Sequence, residues 1–207
     1  MITAYKEIKN EITEETVIER SRFICSLKKA ENEAQAREII AEIRKKHPFA
    51  THNCYAYVTD GGAIARFSDD GEPQGTAGQP MLEVIKNNGT VNVAAVVTRY
   101  FGGIKLGAGG LARAYGGAVA SAIKRCGVSE FFLSDVFNLT FNYDAYAHFL
   151  KFSQNKPIIA LSTDFAESVK ITACVKQPSG GLMDELTDLL NGKIEITEIR
   201  KGFFAYE

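Results

Sequence analysis

Apolar residues recur in two rhythms along this chain, every second position and every third or fourth, and the rhythm changes from element to element. Residues 3 to 30 carry Ile8, Ile12, Val17 and Ile18, then Phe23-Ile-Cys-Ser-Leu27, which predicts short strands joined by polar turns. Ala36, Ile39, Ile40 and Ile43 keep helical spacing. Asn32 supplies an N-cap, Arg44-Lys-Lys46 suits the negative end of the helix dipole, and Pro48 closes the helix. Ala50 to Val58 reads as a strand with His52, Cys54, Ala56 and Val58 on one face; Ile64 to Phe67 pairs back across the turn Asp60-Gly-Gly62. Met81, Leu82, Val84 and Ile85 predict a short amphipathic helix after Pro80 that stops at Asn88-Gly89.

Val91 to Tyr100 is close to continuously apolar through Thr98, the pattern of a strand covered on both faces. A helix follows from about Gly109 to Arg125. Ala112, Gly116 and Ala120 recur every fourth residue, predicting a smooth face that lies close on a sheet and offsets the roughly 1 kcal/mol that each of Gly116 and Gly117 costs.

After Gly127 the texture changes. Phe131, Leu133, Phe137, Leu139, Phe141 and Tyr143 alternate along a long strand, with Asp135 the exception. Asp144 is read as the cap of a helix bearing Tyr146, Phe149 and Leu150. Strands follow at Pro157 to Leu161 and Val169 to Val175, then a helix opened by Pro178-Ser179 and stopped at Gly192, then a strand from Ile194 to Phe204. The order β-α-β-β-α-β is that of a ferredoxin-like domain. Lys201-Gly-Phe-Phe-Ala-Tyr206 faintly echoes an RNA-recognition strand, but on the last strand, so aromatic core packing is the expectation there.

Two glycine-rich loops flank the apolar strand. The first holds Gly71, Gly75 and Gly78; the second holds Gly102, Gly103, Gly107, Gly109 and Gly110. From Asp60 to Glu83 there are five carboxylates against one cation, Arg66; from Val84 to Ser129 there are six cations and no acid. Whole-chain charge is only −1 with a pI near 6.3, so any pull on nucleic acid must come from such a patch. A strand, a glycine loop and a helix in that order present free backbone N–H groups at the positive end of the helix dipole, a favourable place for an anion. Arg99, Tyr100, Gly102, Gly103, Lys105, Gly107, Gly109, Gly110 and Arg113 are therefore the candidate anion-binding residues, facing an acidic loop of Asp69, Asp70, Glu72 and Thr76. The acids either pair with cations or, through Asp69, Asp70 and Glu72, hold Mg²⁺; their spacing is not that of an EF-hand, and the paired reading is preferred. Named nucleotide motifs do not fit: Ala108 stands where a Walker loop needs lysine, and Gly107 to Ala112 begins too far past the strand for a dinucleotide fingerprint. His52 beside Cys54 lacks an orienting third group, so a structural His52 hydrogen-bonded to loop backbone is expected instead of a nucleophile pair.

The chain of 207 residues is long enough for one large or two small domains, each with its own core. Four scattered cysteines without a Cys-x-x-Cys predict free thiols, and no apolar run approaches the length of a membrane span. A cytoplasmic protein without a cofactor is expected.

Asp69-Asp-Gly-Glu-Pro-Gln-Gly-Thr-Ala-Gly78 and Thr98 through Tyr115 resemble the IMPACT/YigZ family, as do Ala50-Thr-His-Asn-Cys-Tyr-Ala56 and Ser21-Arg-Phe23. The resemblance implies an α+β protein of two domains, residues 1–128 and 129–207. The first would be a two-layer α/β domain of a ribosomal-protein-like type with a left-handed crossover; the second, a ferredoxin-like domain similar to the last domain of elongation factor G. It also implies a role in translation, since eukaryotic relatives regulate it; those relatives carry an additional N-terminal domain not matched here, so their partner is not carried over. Three readings remain in view: a non-enzymatic protein binding RNA, the ribosome or a translation factor; an enzyme or sensor for a small phosphorylated ligand or nucleotide with Mg²⁺; and glycine motifs that are purely architectural, letting helix and loops pack tightly on the sheet.

Overall fold

The apolar stretch after Asn92 is a strand buried on both faces, and the first half of the chain is built around it. The structure, a computed structural model, describes residues 3–206. In order come β1 (Ala4–Ile8), β2 (Ile12–Ile18), β3 (Ser21–Lys29), α1 (Glu33–Lys46), β4 (His52–Thr59), β5 (Ile64–Ser68), α2 (Gly78–Asn87), β6 (Val93–Tyr100) and α3 (Gly107–Cys126). Then follow β7 (Val128–Phe141), α4 (Tyr143–Ser153), β8 (Ile158–Phe165), β9 (Val169–Lys176), α5 (Gly180–Leu189) and β10 (Glu195–Ala205). One compact unit spans Tyr5–Ser129; the other spans Glu130–Glu207 and takes in the residues up to Ala4. Thr3 belongs to the second unit because its carbonyl accepts the Leu133 N–H at 2.9 Å, whereas Lys6 in β1 bonds Gly89 and Val91 in the first.

In the first unit the strands run β2-β3-β6-β4-β5, every neighbouring pair antiparallel. β3 and β4 are both antiparallel to β6 and lie on either side of it, so the β3-α1-β4 connection steps over the central strand. Alternation along β6 divides the core. Ala94 and Val96 meet Ala36, Ile40 and Ile43 of α1 on one face. Val93, Ala95 and Val97 meet Met81 and Ile85 of α2 and Tyr115 and Val119 of α3 on the other. Asn32 caps α1 as expected, its side chain accepting from the Gln35 N–H at 3.0 Å.

Two local readings change in this unit. Helix α2 begins at Gly78, before Pro80, because a carboxylate described below caps its first turn. The smooth face of α3 does not lie on the sheet: Leu111, Ala114, Tyr115, Ala118 and Val119 are the buried positions, and Ala120 is exposed. Gly116 instead meets α2, where a Cβ would sit 3.6 Å from Val84. Larger apolar side chains win the sheet because they remove more surface from water there.

In the second unit the strands run β10-β7-β9-β8, all antiparallel, the ferredoxin-like order. Phe137, Leu139, Phe141, Ile171 and Ala173 pack with Phe149 of α4 and Leu186 of α5. Asn142, not Asp144, caps α4, accepting from the Ala145 N–H at 2.9 Å. Asp135 breaks the apolar alternation because Ser179 and Gln177 donate to its carboxylate at 2.5 and 2.6 Å. The aromatic run near the C-terminus lies outside this core: Phe204 is half-buried under Arg200, and Tyr206 packs edge-on to Phe132 and bonds Ser134.

Candidate functional site

Both glycine loops reach one cleft of about 440 Å³ at the end of the first unit's sheet. Glu72 and Pro73 come from the acidic loop; Phe101, Lys105, Leu106, Gly107 and Ala108 come from the second; Thr51, His52 and Arg99 form the sheet side. In β-register, His52 and Arg99 sit side by side on β4 and β6. Neighbouring residues in such a pair point to the same face, and so both reach the cleft.

Glu72 and Arg99 are the buried charges of this site, 8% and 5% exposed. Arg99 Nη1 donates to Glu72 Oε1 at 2.7 Å, and the Tyr115 hydroxyl donates to the same oxygen at 2.7 Å. Arg99 Nη2 reaches the Ser21 hydroxyl at 3.3 Å. Its guanidinium lies over the rings of Phe23 and Phe101, 5.4 and 5.3 Å from their centroids. A buried ion pair survives only when its remaining hydrogen-bonding groups and flanks are satisfied in this way. Arg99 Nε alone is buried without a hydrogen-bond partner.

His52 is tied to the acidic loop. Its Nδ1 lies 2.8 Å from the Asp70 carbonyl, which accepts only, so Nδ1 carries the hydrogen and Nε2 faces Glu72 Oε2 at 3.8 Å. The backbone-bonded His52 expected from the sequence is thus present, and the same ring lines the cleft. Cys54 faces inward: its thiol bonds the Asp69 carbonyl at 3.0 Å and is pushed up to about 12 by burial, with the nearby carboxylates adding to the effect against a hydrogen bond to Tyr115. Such a thiol stays protonated at neutral pH and is no nucleophile. Burial raises the Tyr115 hydroxyl as well.

The three acids of the loop do not converge on a common point. Asp69 accepts from the N–H groups of Gly75, Ala77 and Gly78 at 2.8 to 3.0 Å and so caps α2. Asp70 takes the Asn53 N–H at 2.7 Å and Arg44 Nη2 at 2.5 Å. Glu72 is held by Arg99 and Tyr115. With their oxygens committed separately, these residues form no Mg²⁺ cage, and among the described residues no cluster of three or more His, Cys, Asp or Glu has metal-holding geometry. Thr76 is buried and bonds the Pro73 carbonyl at 2.6 Å.

The second loop is more open. Gly107 starts α3 with φ +67°, and Leu106, at the cap position, gives no side-chain hydrogen bond to the first turn. Lys105 is exposed, and makes no ion pair among the described residues. Arg113 folds back along the helix, its Nη1 within 3.6 Å of where a Gly109 Cβ would be. Gly110 packs under Leu106. Phe101 is 47% exposed. Tyr100 points elsewhere: its hydroxyl is 3.0 Å from His47 Nδ1 and Arg22 covers its ring. Gly102 is there for close approach, since a Cβ would fall 2.0 Å from the Arg20 carbonyl carbon. Its N–H donates to Ser21. Gly103, at φ +86°, has open space around it.

Sequence reasoning missed Tyr115 and Ser21 as partners of the buried pair. Ser21-Arg-Phe23 was legible only as a polar residue beside a core aromatic, because its partners lie far along the chain.

A sheet domain carrying this cleft, followed by a ferredoxin-like domain, defines the class of protein, and comparison with known proteins gives it a family. Residues 19–123 match the Impact N-terminal domain. IMPACT family member YvyE of Bacillus subtilis is 41% identical over 200 residues, 96% of this chain and 92% of that protein. An IMPACT family member of Haemophilus influenzae is 34% identical across 94% of this chain and 96% of its own. A crystal structure of a hypothetical protein superposes with a TM-score of 0.61 at 28% identity, covering 97% of this chain and 99% of that one. The chain belongs to the IMPACT family. Among the described residues no helix is long and apolar enough to cross a membrane.

Proposed function

We propose that the cleft receives a phosphate of an RNA strand, and that the protein is a non-enzymatic, cytoplasmic, translation-associated factor binding RNA or a ribosomal component. The observation that carries this reading is the uncapped first turn of α3 at the wall of the cleft. Backbone N–H groups there lack intrahelical partners, Lys105 lines the cleft beside them, and Arg113 folds back toward Gly109 in the same turn. Phe101 offers an exposed ring, already backed by Arg99, on which a base can stack. Arg99 itself is neutralised by Glu72 and serves as scaffold.

Filter binding of a structured RNA at several salt concentrations tests the proposal. Lys105→Ala plus Arg113→Ala should weaken binding about tenfold at low salt and flatten its salt dependence by somewhat less than two units in log–log slope. Unchanged binding sinks it.

The largely apolar lining of the cleft favours a second reading, a small phosphorylated ligand such as a nucleotide. Since the loop carboxylates are committed, a thermal shift with a nucleotide that is independent of Mg²⁺, without RNA affinity, would select it.

A further inference from the structure

A second recess of about 550 Å³ lies on the α1 side of the same sheet, along β4 and β5. Arg37 and Arg44, seven residues apart, project from one face of α1, and Arg66 projects from the edge strand β5. Their charges are only partly answered. Glu33 is taken by Arg37 Nη2 at 2.8 Å and by the Tyr57 hydroxyl at 2.9 Å. Arg44 binds Asp70 at the mouth. Arg66 donates to the carbonyl of its neighbour Ala65 at 3.1 Å and has no carboxylate within ion-pair distance among the described residues. Between these cations stand half-buried Tyr55, stacked on Tyr57 at 6.0 Å, and Phe67, 44% exposed. Guanidinium groups interleaved with aromatic surface are the chemistry that tracks a single-stranded polynucleotide.

The recess is joined to the cleft through one residue. Asp70 holds Arg44 by its side chain at 2.5 Å and His52 by its carbonyl at 2.8 Å, so the mouth of one and the wall of the other meet there.

We infer that a single RNA strand occupies both: one phosphate at the first turn of α3, and the following nucleotides in the recess, phosphates against Arg37 and Arg66 and a base on Phe67 or Tyr55. This extends the cleft reading and rests on it for the shared strand. Fluorescence anisotropy with a labelled trinucleotide and a labelled dodecanucleotide of the same single-stranded RNA tests it. Arg37→Ala plus Arg66→Ala, both exposed, should weaken the dodecanucleotide about tenfold and leave the trinucleotide unchanged. The log–log salt slope for the longer strand should fall by about 1.4, two contacts at about 0.7 each. Equal affinity of variant and parent for the dodecanucleotide overturns the inference, as does displacement of that RNA by polyglutamate as readily as by unlabelled RNA. Lys105→Ala separates the two readings: if it spares the trinucleotide while the arginine pair still weakens the longer strand, the cleft assignment fails and the recess stands.

Discussion

Helices α2 and α3 begin on the same side of the first unit's sheet, and their first turns are treated in opposite ways. At α2 the Asp69 carboxylate accepts three backbone N–H groups, so the chain supplies its own anion. At α3 the cap position is Leu106, which accepts nothing, and the flanking charges are cations. One helix start is closed by a carboxylate nine residues upstream; the other has no side-chain cap. Glycine content alone does not separate these cases, because both loops are rich in it. What separates them is the position of one acid.

The comparison can be broken at several points. Glu72 is the acid that pairs with Arg99 beside the cleft; Glu72→Ala leaves a buried guanidinium unpaired and should cost about 3–5 kcal/mol in urea unfolding. A cost below about 1 kcal/mol would mean the pair is solvated. Asp69→Ala removes the internal anion of α2 and should cost about 2–3 kcal/mol, from orphaned N–H groups and a lost cap. Circular dichroism melts that match the parent would show that α2 does not depend on it. Ala108→Asp sharpens the contrast by giving α3 an acid of its own. That change should add about 0.3–1 kcal/mol of stability through the dipole and reduce RNA binding at least tenfold. Undiminished binding would place the ligand elsewhere.

Elements whose signals are local were legible in the sequence. The two-faced burial of β6, the Asn32 cap of α1 and the β-α-β-β-α-β order needed only spacing and capping residues. The start of α2 was misplaced because its cap, Asp69, sits outside the helix and across a turn. The site was half legible. The two loops were marked by glycine and charge, but three acids within four residues gave no hint of which would bind a helix, which an arginine on α1 and which an arginine on β6. Those assignments rest on contacts 6 to 27 residues apart in sequence, Asp69 with Gly75, Ala77 and Gly78, Asp70 with Arg44, and Glu72 with Arg99. Tyr100 and Phe101 are adjacent aromatics in the sequence, yet Tyr100 at the end of β6 turns to His47 and Phe101 just beyond it lines the cleft.

Gly102 presses against the backbone of Arg20 and Ser21, while a Cβ added at its neighbour Gly103 would meet nothing within 4 Å. The loop is therefore riveted at its root and open to solvent at its tip. A guest cannot widen the root, so any selectivity among guests falls to the few side chains that the tip carries, Ile104 and Lys105 first among them.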